Sequence, residues 1–226
     1  MAALEREVAP LIRKWRVNEK EYDGRRFRFF ENGDVVLVCG GIGAEPARRA
    51  AEAVIVLYGP SLVYSAGYAG ALDPALRIGD VLKPERVVHA GDGSSVAIAD
   101  GKGILVSYGQ VATRNQKGKL RESFGAQAVD MESSAVARAA EARGVGFAAI
   151  KAISDDVDFE IPATEQFVDE QGGFRETRFA WFVFIRPWLW PRVIRLMKNS
   201  RRATRKLCEE IRKLERQQVA PGLARS

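Results

Sequence analysis

The sequence predicts an α/β protein, a single three-layer domain around a central mixed sheet. Three observations predict it. Strand-like and helix-like stretches alternate up to about residue 155, and glycine clusters close several of the strand-like runs. The chain has 226 residues, 46% hydrophobic and 28% charged, which suits one large core better than two small ones.

The elements follow in order. Arg26–Phe30 alternates with period two, and Asn32-Gly33-Asp34 reads as a hairpin turn into a second strand over Val35–Cys39. The cluster Gly40-Gly41-Ile42-Gly43 leads into an alanine-rich helix over Ala44–Tyr58. Ser61–Ser65 reads as a buried strand closed by Ala66–Gly70. Short strands are expected at Asp80–Leu82, Arg86–His89, Ser95–Ala99, Ile104–Ser107 and Gln127–Val129, a helix over Met131–Arg143, and a buried strand over Gly146–Ile153. These elements make residues 1–160 the α/β core, with 161–226 completing the same domain. In that last part, Glu160–Gly173 reads as a polar loop with a turn at Gly172-Gly173, followed by an aromatic segment over Phe179–Trp190. Beyond Pro191, Val193, Leu196, Met197, Ala203, Leu207, Ile211 and Leu214 recur near the helical period, with Arg and Lys opposite.

Composition excludes several functions. The longest apolar run, Phe179–Ile185, falls far short of the roughly 20 residues that span a bilayer. Met1–Glu7 lacks a signal-peptide stretch, so the chain reads as cytoplasmic. Cys39 and Cys208 make no disulfide framework and have no metal-ligand spacing. One histidine, His89, excludes a multi-histidine zinc site, and no G-x-S-x-G elbow accompanies it; it reads as a surface or interface residue. Any catalysis must lean on carboxylates, hydroxyls and backbone amides. Residues 191–226 carry 11 Lys/Arg against 3 Asp/Glu, while the rest carries 24 against 26. The basic balance belongs to a tail, which argues against a body that binds nucleic acid.

Asp130-Met131-Glu132 places two acids at a strand-to-helix junction, and Ser154-Asp155 ends a later strand. Cleaving a nucleoside N-glycosidic bond needs a proton for the leaving base, acceptors for the sugar hydroxyls, and a nucleophile for the oxocarbenium-like carbon. A strand-end Asp can supply the first and a Glu the second. The alternative is structural: acids at such junctions often cap helices.

Four motifs resemble the purine nucleoside phosphorylase and nucleosidase superfamily, nearest to the methylthioadenosine/S-adenosylhomocysteine nucleosidases. They are Ala3-Leu4-Glu5-Arg6-Glu7-Val8, Gly41-Ile42-Gly43, Val129-Asp130-Met131-Glu132-Ser133 and Lys151-Ala152-Ile153-Ser154-Asp155. The resemblance covers about residues 1–160. It implies Asp155 as the acid at purine N7 and Glu7 as the base that activates water. Glu132 would clamp the ribose hydroxyls. Met131 and Tyr68 would line the sugar pocket, with Ser154, Gly43, Gly70 and Val111 around the substrate. It implies a nucleoside substrate, release of adenine by hydrolysis, a homodimer, and no metal or organic cofactor.

Departures are informative. Relatives have an apolar strand ahead of the first motif, and here the chain starts inside that motif. Ser65 stands where phosphorylases have a phosphate-binding arginine, and Tyr68 where a serine is expected. Hydrolysis is therefore expected over phosphorolysis, with phosphate the alternative nucleophile. The stretch Gly79–Ile104 is also short for a nucleosidase, so part of the lid is expected to be absent. The Arg186-Pro-Trp-Leu-Trp-Pro191 tail is similar to hopanoid-associated nucleoside phosphorylases, which act on a lipid-linked adenosyl group. The aromatics could be core or dimer interface. A basic amphipathic helix beside them also fits a peripheral membrane contact. No base-stacking motif accompanies the tail, so no nucleic acid is expected. The non-enzymatic alternative is a nucleoside-binding protein without turnover.

Overall fold

A computed structural model describes residues 1–159, 165–167, 169, 172–184 and 186–219. After a short helix α1 (Glu5–Ile12), three strands form an antiparallel sheet: β1 (Arg16–Tyr22), β2 (Arg25–Asn32) and β3 (Val35–Val38). The remaining strands are β4 (Leu62–Ala71), β5 (Val81–Leu82), β6 (Arg86–His89), β7 (Ser95–Ala97), β8 (Ile104–Ser107), β9 (Ala128–Asp130) and β10 (Gly146–Asp155). They make a seven-stranded sheet in the order β5-β10-β4-β9-β8-β6-β7. It is mixed, as expected: β10/β4, β6/β8 and β8/β9 run parallel, while β10/β5, β4/β9 and β6/β7 run antiparallel.

Helices cover both faces of this sheet. The period-two alternation of β4 sends Val63 toward α2 (Ala44–Tyr58) and α4 (Ser133–Glu141), where Ala47, Ala50, Val54, Val136 and Ala140 pack. Ala66 on β4, with Ile150 and Ala152 on β10, faces the other way. There it meets Val8 and Leu11 of α1 and Ala203, Leu207 and Cys208 of α6 (Trp190–Val219). The small residues on both faces let the helices approach closely, which gives the three layers.

Met1–Ala3 seats between the two sheets. The Met1 ammonium donates to Tyr64 O (2.8 Å) and Ala66 N donates to Met1 O (2.8 Å). On the other side Ala2 N donates to Val38 O (2.9 Å), and Gly40 N donates to Ala2 O (3.0 Å). This junction anchors α1, and with it Glu7.

Several boundaries depart from the sequence reading, each for a physical reason. β4 continues past Ser65 to Ala71, because Gly67 and Gly70 stay paired with β10 instead of turning. The helix expected from Met131 starts at Ser133, because Asp130 caps it: Asp130 Oδ2 accepts from Ser133 N (3.0 Å) and Ser133 Oγ (2.6 Å). The sequence reading missed α1, β1 and α3 (Arg114–Phe124). Most of the loop expected over 160–173 lies outside the described residues; its turn at Gly172-Gly173 is held by Asp169, whose carboxylate accepts from Gly173 N (2.7 Å). The aromatic segment forms α5 (Glu176–Phe184) and a single helical turn at Pro187–Leu189, and Ile185 lies outside the described residues.

Candidate active site

The site forms where β4 and β10 end side by side. A register shift between Ile153 and Asp155 sets Asp155 opposite Gly70 and leaves Ser154 and Asp155 both buried. Gly70 is required there: a Cβ would stand 2.7 Å from Asp155 Oδ2. That oxygen accepts from Lys117 Nζ (2.5 Å), and Asp155 Oδ1 accepts from Ser154 Oγ (2.8 Å). Lys117 comes from α3, which begins with a capping box between Thr113 and Gln116. Its ammonium also donates to Asp156 O (2.7 Å) and Phe159 O (3.3 Å), so this lysine is buried with its donors used.

A second cluster lies across the cavity. Asp130 Oδ1 accepts from Ser107 Oγ (2.6 Å), and its Oδ2 accepts from Lys151 Nζ (2.8 Å) besides capping α4. Asp130 also lines the cavity, but both its oxygens are engaged by protein donors, so of the two acids Glu132 has more accepting capacity left for a ligand. Glu132 Oε1 accepts from Gly43 N (3.0 Å), a donor presented by a backbone at φ 99° that favours glycine. Ser65, at the position where an arginine would mark a phosphorylase, is buried between Lys151 Nζ (3.1 Å) and Ser133 Oγ (3.0 Å).

Glu7 completes the cluster from α1. It is buried, its Oε2 has no hydrogen-bond partner, and a Cβ on Gly67 would meet that atom at 3.0 Å. Burial, then the charge of Glu132, pushes the Glu7 carboxyl up to about 8. Burial, then Asp130, raises Glu132. For Lys151 burial works downward, but Asp130 and Glu132 outweigh it and hold the ammonium above its ordinary value.

Between the two clusters is a cavity of about 190 Å³. Glu7, Tyr68, Gly70, Val111, Met131, Glu132, Ser154 and Asp155 all line it, whereas Gly43 does not and only donates its N–H to Glu132. Tyr68 presents its ring side there, because its hydroxyl is engaged by Thr204 Oγ1 and Ser200 O (3.3 Å) on α6. Burial pushes that phenol up to about 12. One end of the cavity thus offers acceptors for hydroxyls and a carboxyl with one unpartnered oxygen; the other offers Asp155 backed by an ammonium. Among the described residues no group of three or more His, Cys, Asp and Glu is placed to hold a metal ion.

Sequence reasoning missed Lys117 altogether and named Lys151 only as part of a motif. The Thr113…Gln116 capping pattern was the available signal for α3, although it says nothing about burial of the lysine that follows.

Comparisons with known proteins bear on the family and the fold. Residues 1–111 and 102–177 match the family described as the phosphorylase superfamily. A 5'-methylthioadenosine/S-adenosylhomocysteine nucleosidase of Staphylococcus carnosus (strain TM300) is 27% identical over 210 residues, covering 75% of this chain and 91% of that protein. One of Marinomonas sp. (strain MWYL1) is 34% identical over 93 residues; that match spans 39% of this chain and 40% of the relative. The crystal structure of the Colwellia psychrerythraea 34H nucleosidase in complex with adenine superposes with a TM-score of 0.65 at 25% identity, over 71% of this chain and 83% of that one. With the fold, the motif residues gathered in one cavity and a family match across most of its length, the chain belongs to the phosphorylase superfamily, the enzyme superfamily of nucleoside phosphorylases and nucleosidases.

Proposed function

We propose that the protein hydrolyses the N-glycosidic bond of an adenosine-type nucleoside and releases adenine. The observation that carries this reading is the convergence of Glu7, Glu132 and Asp155 on one cavity, with Glu7 Oε2 buried and unpartnered. The bond from C1′ to N9 breaks and its electrons pass into the purine, which takes a proton at N7 from Asp155. Both Asp155 oxygens already accept from donors, one of them the Lys117 ammonium, so the proton starts on Lys117 and passes through Asp155 to N7, leaving Lys117 as an amine that is reprotonated after the products leave. Glu132 accepts from the ribose hydroxyls, and Met131 and the Tyr68 ring face the sugar. The ionised Glu7 removes a proton from water as the water oxygen bonds to C1′.

Charge favours water over phosphate. Glu7, Glu132 and Asp130 surround the single ammonium of Lys151, which is already paired with Asp130. The Lys117 ammonium on the same cavity is likewise taken up by Asp155, so neither lysine is free for an anion, and Arg6 is the remaining cation of the lining. Ser65 adds a hydroxyl already engaged by Lys151 and Ser133, not a cation.

The test is chromatographic detection of adenine from methylthioadenosine, S-adenosylhomocysteine and adenosine, each with and without phosphate. The expected result is phosphate-independent release that falls by about 10²–10⁴-fold in Asp155→Asn. Release that requires phosphate would make the enzyme a phosphorylase. Tight nucleoside binding without any release would make it a binding protein.

A further inference from the structure

Exposed apolar side chains are concentrated on one short stretch of the surface. Of the nine large hydrophobics exposed among the described residues, six fall between Trp181 and Met197: Trp181, Phe184, Trp188, Trp190, Ile194 and Met197. They lie on α5, on the single turn that follows it, and on the first turns of α6, and each is between 46% and 70% exposed. Trp181 and Phe184 stack on one another with ring centroids 5.9 Å apart. Three tryptophans and a phenylalanine left in water on one segment mark a surface meant to be covered.

The charges on the same segment indicate what covers it. From Thr177 to Cys208 there are nine Arg and Lys residues and no Asp or Glu. Arg178, Arg192, Lys198, Arg201 and Arg202 are exposed, and Arg186 lies over the Phe182 ring at 3.8 Å. A second copy of this chain, meeting the face by two-fold symmetry, would set these cations against the same cations. A nucleic acid would satisfy the cations and leave the tryptophans, Ile194 and Met197 without partners. An anionic lipid bilayer satisfies both: headgroup phosphates take the Arg and Lys, and the interfacial region takes the indole rings and aliphatic tips. We infer that α5, the Pro187–Leu189 turn and the N-terminal half of α6 form a docking face for an anionic membrane surface. No helix among the described residues is long and apolar enough to cross a membrane, so the face lies in the interface and does not span it.

The face adjoins the rim of the cavity. Arg195 donates to Asp156 Oδ2 (2.5 Å), next in the chain to Asp155, and its guanidinium lies over the Phe159 ring at 5.4 Å. Ser200 and Thr204, further along α6, hold the Tyr68 hydroxyl. Docking therefore sets the cavity beside the headgroup layer. The inference stands whichever nucleoside the cavity takes, and its readout is separate from turnover.

The experiment is co-sedimentation of the full chain with phosphatidylglycerol-rich and with pure phosphatidylcholine vesicles. Tryptophan fluorescence is followed in parallel with acyl chains brominated near the headgroup. The expected result is selective pelleting with the anionic vesicles and quenching by the brominated lipid. The doubly substituted Trp181→Ser/Trp188→Ser protein should partition at least tenfold more weakly and lose most of the quenching. Its thermal unfolding should match the parent, since both side chains are about two-thirds exposed or more. Failure to pellet with anionic vesicles overturns the inference. So does pelleting without quenching, which is adsorption by charge alone. A dimer in sedimentation velocity that the double substitution splits would assign the face to a second copy instead.

Discussion

Burial and the charge of Glu132 hold the Glu7 carboxyl at about 8, against an ordinary value of 4.5, so at neutral pH the free protein keeps that proton. Two consequences have opposite signs for activity and stability. As a base Glu7 works only when ionised, so kcat/KM is expected to climb with pH and level off above about 8. For stability, the folded state binds a proton that the unfolded chain releases above 4.5. That stabilisation is complete below 4.5 and is lost as pH rises to about 8. The Met1 amine, lowered to about 6 by burial, acts in the other direction, because its penalty is relieved as pH rises through 6 to 8. Glu7→Gln separates the two. Relative to the parent, its melting temperature should rise between pH 5 and pH 8, with turnover lost; a constant difference would place the held proton elsewhere, on Glu132. Lys117 is the second residue to test. Lys117→Met leaves Asp155 buried with only Ser154 as donor and should cost about 3–5 kcal/mol in denaturant unfolding. Adding Asp155→Asn should recover part of that stability but no activity. A single variant as stable as the parent would show that the pair bears no load in the fold.

At the scale of elements, the period-two run of β2, the alanine-rich α2 and the buried β10 were legible because local pattern and tertiary role coincide. Elsewhere they part. β1 reads Arg-Val-Asn-Glu-Lys-Glu-Tyr, with no apolar stripe, and exists because every residue from Arg16 to Tyr22 pairs with β2. α3 is a charged run interrupted by Gly118, and its lysine is buried by partners near residue 156, about forty positions away. No local pattern carries that information. The acids of the site were legible because their spacing follows family motifs, whereas the division of labour between Asp130 and Glu132 needed the geometry of the α4 cap. Gly67 and Gly70 read as turn residues and proved to be strand residues that yield space to Glu7 and Asp155. Their role can be tested with alanine. Gly70→Ala should displace the Asp155 carboxylate, lower kcat at least tenfold and cost about 1–3 kcal/mol. Gly118→Ala, with nothing within 4 Å of the added carbon in the middle of α3, should instead stabilise by roughly 0.5–1 kcal/mol. Equal effects at the two positions in thermal unfolding and steady-state assays would refute this account of Gly70.

Over the whole molecule, the family match ends at residue 177, and α6 lies beyond it. The apolar period of that helix was legible, but its division into two uses was not. Ala203, Leu207 and Cys208 pack on the sheet, whereas Ile194 and Met197, on the same repeat, point into water. Sequence marks an amphipathic helix without saying which part of its stripe the fold consumes. The Thr204–Tyr68 contact gives the arrangement a thermodynamic consequence. One helix holds the hydroxyl of Tyr68, a residue of the cavity lining, and carries the proposed docking face, so the two occupancies belong to a single closed cycle of binding equilibria. Around such a cycle the free energies must sum to zero. The factor by which bound nucleoside changes affinity for lipid is then the same factor by which lipid changes affinity for nucleoside. If lipid occupies the proposed face and that factor differs from one, substrate supply controls where the protein resides, and lipid charge controls how firmly it holds what it binds.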